Sequence, residues 1–166
     1  MLFKWRMGMI IMYKVTQSLV NSNSVRFEGL KPSHLTEDAG VYVILIHTQS
    51  ILNDNDDALD ALNDYLSSIG YEIGANGDCL LYVGRTINKR VRLYQNHLQG
   101  TKATARLKVA LVSNGIVATE SDAKEFIKQY CSFKFLALPT QTVKEQYNFK
   151  LAEHQVKVDL EPVFID

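Results

Sequence analysis

The sequence predicts a small α/β domain of the α+β type: a mainly antiparallel sheet of three strong strands, flanked by helices. Short β-branched apolar runs, GVYVILIH (40–47), CLLYVG (79–84) and CSFKFLALP (131–139), read as the strands. Between and after them apolar residues recur at helical spacing, so the order is strands, helices, strand, helix. The 166 residues contain no internal repeat, low-complexity tract or Pro/Gly-rich linker, which makes 1–166 a single domain.

Residues 1–35 form an N-terminal extension. YKVTQSLV (13–20) and SVRFEGL (24–30) read as a strand or hairpin, and LKPSHLTEDAG (30–40) as the turn leading onward. The unbroken apolarity of GVYVILIH implies burial on both faces. Residues 55–69 then switch to a helical period, with Leu59, Leu62, Leu66 and Ile69 on one face and aspartates on the other. This helix lies in an insertion, 49–78, between two strands that would otherwise make a simple hairpin. After Gly84 a basic helix is expected near 88–99, striped by Val91, Tyr94 and Leu98, and another near 102–113 with Leu107, Ala110 and Leu111. ATESDAKEFIKQY (118–130) has Thr119 or Ser121 as N-cap and acids in its first turn. The last helix runs from about 141 to 160 on a stripe of Val143, Tyr147, Leu151, His154 and Val158, and Pro162 ends it.

A hydrophobic content of 46% and a charged content of 22% are those of an ordinary soluble globular protein. Cys79 and Cys131 each lie in a hydrophobic run and read as buried free thiols, consistent with a reducing cytoplasm. The opening MLFKWRMGMIIMYKV has two basic groups before an apolar run, but no small-residue cleavage pattern, and the run is too short for a bilayer. It reads as a strand-like lead-in, with no membrane role. A net charge of zero hides a segregation: segment 49–78 holds seven acidic residues and no Lys or Arg. Residues 79–119 hold seven basic residues and no acid, which suits a polyanion-facing surface; a solvated basic face balanced by the acidic segment is the alternative.

Tyr42 and Tyr82 lie on the first two strong strands, where pairing could bring the phenols together. Arg92 follows Gly84, one helix turn further along, and would point back toward the strand end, while Glu153 sits mid-helix beside an apolar stripe, where a carboxylate needs water or a partner. Each alone has an ordinary explanation. Strand tyrosines commonly pack in cores with a satisfied hydroxyl, helix arginines are solvated, and a lone histidine such as His97 is more often a cap than a catalyst. No His/Cys cluster has metal-ligand spacing, no Gly-rich phosphate loop is present, and no Ser/His/Asp set is recognisable.

Taken in order, however, GVY (40–42), YVG (82–84) and the following Arg85, Thr86, Asn88 and Arg92 resemble the GIY-YIG nuclease superfamily, in which an arginine lies ten residues after the second tyrosine. LAEHQVKVDLEP (151–162) is similar to the family's late helix, with Glu153 nine residues before Pro162. The resemblance spans roughly 36–166. It implies a three-stranded sheet bearing one catalytic centre, and a metal-dependent endonuclease that hydrolyses DNA phosphodiester bonds. On that pattern Glu153 holds a single Mg²⁺ or Mn²⁺, Tyr42 is the general base for water, Tyr82 orients water or phosphate, and Arg92 meets the phosphorane charge. Arg85, Lys89, Arg90, Lys102 and Arg106 would hold the DNA backbone.

The chain departs from the pattern in places. The family often carries a histidine four residues after the arginine; here that position is Asn96, and His97 comes one later. On a regular helix His97 falls near the direction of Arg90, so Arg90/His97 and Arg92/His97 are both candidate pairs. No asparagine follows Pro162. A module that keeps the fold and binds nucleic acid or protein without cleaving is the alternative function. For the insertion, an autoinhibitory flap, a solubility element or a partner surface all fit, and a homodimer or a protein partner is the expected association.

Overall fold

In a computed structural model, residues 14–47, 49, 51, 56–71, 78–100 and 105–165 are described. A helix α1 (14–21) leads into the short strand β1 (Val25–Arg26), a 3₁₀ turn (Pro32–His34) and strand β2 (Gly40–His47). Helix α2 (Asp57–Ser68) and strand β3 (Asp78–Thr86) follow, and then a π-helix (Val91–Gln99). Helices α3 (Arg106–Ser113) and α4 (Glu120–Tyr130), strand β4 (Cys131–Ala137) and helix α5 (Val143–Leu160) complete the chain.

The sheet has four strands in the order β1-β4-β2-β3, and every pairing is antiparallel. The fourth strand, beyond the three expected, is the two-residue edge strand β1. β2 is central, and its first seven residues are buried, as its unbroken apolarity requires. Alternation along the strands divides them between two cores. Tyr42, Ile44, Ile46 and Tyr82 join one core, which includes buried residues of α2, the π-helix, α3 and α4. Val41, Val43, Leu45 and Val83 join the other, with Leu19 of α1 and Ala152 and Val156 of α5. The acidic insertion does lie between two paired strands. His47 and Asp78 close its base, Nδ1 to Oδ1 over 2.6 Å. Among the described residues no helix is long and apolar enough to cross a membrane, and Cys79 and Cys131 are buried free thiols.

Three expectations are corrected. Residues 14–21 are helical, because Thr16 and Leu19, three positions apart, are the buried pair and the Thr16 hydroxyl donates to Asp159 over 2.6 Å. The earlier part of the strand-like lead-in, 1–13, lies outside the described residues. In α5 the buried stripe is Phe149, Ala152 and Val156, whereas Val143, Tyr147, Leu151 and Val158 are exposed. That helix carries apolar residues on two faces, and periodicity alone cannot say which one meets the sheet. Within 91–99 the buried residues are Leu93, His97 and Leu98, with Val91 exposed, because the segment winds as a π-helix with a different residue spacing. Other details follow expectation: Leu59, Leu62 and Leu66 are buried, although Ile69 is exposed past the end of α2, and Thr119 caps α4 in a reciprocal pair with Asp122.

Candidate functional site

The two motif glycines explain how the strands come so close. Gly40 opens β2 opposite Ala137 of β4, and a Cβ there would overlap the Leu136 carbonyl and the Phe135 ring. Gly84 faces Tyr42 across the β2–β3 ladder, and a Cβ there would occupy the place of the Tyr42 hydroxyl. The bare glycine lets the phenol lie flat over β3. Ile44, rather than Tyr42, is the register partner of Tyr82, so the two tyrosines are diagonal neighbours on one face, with ring centroids 6.2 Å apart.

The π-helix covers them. Its wider turn brings Arg92 and His97, five residues apart, over the same spot. Arg92 Nε donates to the Tyr42 hydroxyl over 2.9 Å and its Nη2 to the Tyr82 hydroxyl over 3.2 Å. His97 Nε2 lies 2.8 Å from the same Tyr42 oxygen, with its ring edge-on to both tyrosines at 5.5 and 5.4 Å. Lys108 fastens the end of the segment through the carbonyls of Leu98 and Gly100. Tyr42, Tyr82 and His97 are buried, and Arg92 is the half-exposed member of the cluster.

The charges in the cluster are well defined. Burial, then the positive charges of Arg92 and Lys108, push the His97 imidazole down to about 3, so it is neutral near pH 7. Burial opposes the Arg92 charge, but the two phenols outweigh it and hold the guanidinium above its ordinary range. His97 Nδ1 is buried without a hydrogen-bond partner. An orphaned N–H is rarer in folded proteins than an under-used acceptor, which favours the tautomer with the proton on Nε2. In that tautomer two donors, Nε2–H and the Arg92 Nε–H, converge on the Tyr42 oxygen. Negative charge arising there would be met from both sides.

Arg90 does not compete for this place. It turns away to donate to the Leu35 carbonyl through Nε and Nη2 and to pair with Glu37 over 2.7 Å. The departure at Asn96/His97 is therefore absorbed by the π-helix, and Arg92 is the arginine beside the tyrosines.

Glu153 stands apart. It leaves α5 on the Val83 side of the sheet, where Arg85, two residues beyond Val83, meets it with Nε to Oε2 at 2.5 Å. Lys157 takes the other oxygen, Oε1, at 3.0 Å. A carboxylate with a cation on each oxygen keeps only its remaining lone pairs for a divalent ion, and bringing one in beside Arg85 and Lys157 would crowd three positive centres. Among the described residues no group of three His, Cys, Asp or Glu could hold a metal. The residues as placed do not fit the metal site expected from the resemblance.

Three of the five expected backbone-binding cations are engaged within the fold. Arg85 pairs with Glu153 and packs over the Phe149 ring, Lys89 sits 4.6 Å from the Phe135 ring centroid, and Arg90 pairs with Glu37. Arg106 is exposed at the start of α3, and Lys102 lies outside the described residues. Sequence reasoning missed Gly84 as a packing partner of Tyr42 and Lys108 as the clamp on the π-helix; the one signal of the first was the glycine in the YVG motif. Comparison with family profiles, characterised proteins and solved structures finds no match to this chain.

Proposed function

We propose that the chain is a GIY-YIG-type endonuclease domain that hydrolyses DNA phosphodiester bonds. The observation that supports this reading is the meeting of Tyr42, Tyr82, Arg92 and His97 at one point. Tyr42 serves as the base that receives the proton of the attacking water. It does so as a phenolate, its own proton given up to solvent beforehand and its charge met by His97 and Arg92. On taking the water's proton it becomes neutral while the new P–O bond forms, the P–O3′ bond breaks and the leaving oxygen takes a proton from solvent. Arg92, the member that reaches the surface, offers its remaining N–H groups to the phosphate. Tyr82 keeps the guanidinium in plane for that contact. The reading brings with it a Mg²⁺ or Mn²⁺ cofactor on Glu153. Because Glu153 is paired with Arg85 and Lys157, no step is assigned to a metal, and the catalytic reading requires the carboxylate to exchange at least Arg85 when substrate is present.

The test is nicking of supercoiled DNA by the purified chain in Mg²⁺ or Mn²⁺, with Arg92→Ala as control. Cleavage by the parent chain and a loss of ~10²-fold or more in the variant support the reading. Cleavage that survives both Arg92→Ala and Glu153→Ala contradicts it.

One observation favours a second reading, a non-catalytic nucleic-acid- or protein-binding module on the same fold. Both oxygens of Glu153 are already paired, with Arg85 and Lys157, and on the other face of the sheet the buried Tyr42 and Tyr82 hydroxyls are already held by Arg92, so neither group awaits substrate for a partner. Salt-sensitive DNA binding with no cleavage in any divalent metal would select it.

A further inference from the structure

The acidic insertion builds one wall of a cleft that shares no residue with the tyrosine cluster. The cleft encloses about 880 Å³ between α2, the turn after α3, and α4. Its floor is apolar, made by Ile116 and Val117 from the turn and Phe126 from α4, with Ala61 of α2 at the side. Its rim is acidic. Asp56 and Asp57 stand on the α2 wall; on the α4 wall Asp122 accepts from the Thr119 cap and Glu125 lies 3.5 Å from Lys128, an exposed pair that an incoming cation can replace. No Lys or Arg is among the described lining residues. The Tyr130 hydroxyl spans the two walls to Asp56 over 2.7 Å, and that bond holds the Asp56 carboxyl below its usual range. The cleft is therefore braced before anything enters it.

We propose that this cleft is a docking site for a basic amphipathic peptide segment of a protein partner, with its apolar side on Ile116, Val117 and Phe126 and its Lys or Arg side chains on the two acidic walls. Charge complementarity decides the class of occupant. Nucleic acid is repelled by four carboxylates and a small inorganic cation would leave the apolar floor uncovered, whereas a basic segment with one apolar face satisfies both. The cleft also gives the insertion a role independent of the chemistry at Tyr42, whether or not the endonuclease reading holds.

The experiment uses the full chain and a fluorescein-labelled Leu/Lys amphipathic peptide, followed by fluorescence anisotropy at low and physiological salt. A Leu/Glu peptide of the same pattern and spermine serve as competitors. Saturable binding is expected, together with weakening of ~10-fold or more in the exposed-site variant Asp57→Lys/Glu125→Lys. Ala61→Trp, which fills the cleft from a half-buried position, should weaken it similarly while circular dichroism and melting stay those of the parent. Failure of the Leu/Lys peptide to bind would overturn the proposal. So would competition by spermine as effective as that of unlabelled Leu/Lys peptide, which would mean charge alone is recognised. Binding unchanged by Ala61→Trp would also overturn it, by placing the peptide elsewhere.

Discussion

Arg92 and His97 lie five residues apart in sequence and meet on a single oxygen, the Tyr42 hydroxyl, at 2.9 and 2.8 Å. A regular α-helix would turn one of them away. The π-winding of 91–99 is what lets both reach, and it carries the geometry on which the catalytic reading rests.

The choice between the two arginines is directly checkable. Arg92→Ala removes both tyrosine contacts and should reduce cleavage by ~10²-fold or more. Arg90→Ala loses an exposed pair with Glu37 and bonds to the Leu35 carbonyl, and should lower stability by about 1 kcal/mol while leaving most of the cleavage rate. Parallel melting curves and nicking rates for the two variants decide it; equal loss of activity would count against the assignment.

Gly84→Ala puts a methyl group where the Tyr42 hydroxyl lies. Tyr42 is fully buried and held by two partners, so it cannot simply swing aside. We expect a destabilisation of about 1–3 kcal/mol in denaturant titrations. Cleavage should fall further than stability does, because the phenol oxygen leaves its place between Arg92 and His97.

His97 gives the chain a specific acid sensitivity. Folded, its imidazole stays neutral down to about pH 3, whereas in the unfolded chain it takes a proton near its ordinary 6.5. Between those values the unfolded state binds more protons, so stability present above pH 6.5 is lost progressively as the pH falls toward 3. The slope from this one group approaches ~1.4 kcal/mol per pH unit. Urea titrations from pH 7 to 4 should show a shallower dependence in His97→Gln than in the parent; identical slopes would mean that His97 is not buried neutral.

Arg85→Ala frees one oxygen of Glu153. Mn²⁺ binding followed by electron paramagnetic resonance should be weak in the parent, tighter in Arg85→Ala, and lost again in Arg85→Ala/Glu153→Gln. Tight binding by the parent would show that the ion pair is no obstacle to the metal.

Much of this site could be read from the chain. Tyr42 and Tyr82 were recognisable because GVY and YVG occur in order on two strong strands, whereas the space that Gly84 leaves for Tyr42 shows only in the structure. The strands β2, β3 and β4 were legible from β-branched runs bounded by turn residues. The winding of 91–99 was not, because an extra residue per turn leaves no mark in composition; it shows only as a histidine one place late. Nor was the face of α5 that meets the sheet, since Val143, Tyr147, Leu151 and Val158 make as good a stripe on paper as Phe149, Ala152 and Val156. Glu153 was expected beside the tyrosines from the family resemblance, through its spacing to Pro162, and spacing alone does not say which face of the helix meets the sheet. A helix turned onto its other stripe carries its carboxylate to Arg85 instead.

The most direct test of the proposed catalytic role of this cluster is a single deletion of one oxygen. Tyr42→Phe keeps the ring that packs in the core and removes the acceptor shared by Arg92 and His97. With the parent cleaving DNA in Mg²⁺ or Mn²⁺, Tyr42→Phe should retain its fold by circular dichroism and lose cleavage by ~10²-fold or more. Cleavage by Tyr42→Phe at the parent's rate would contradict the account.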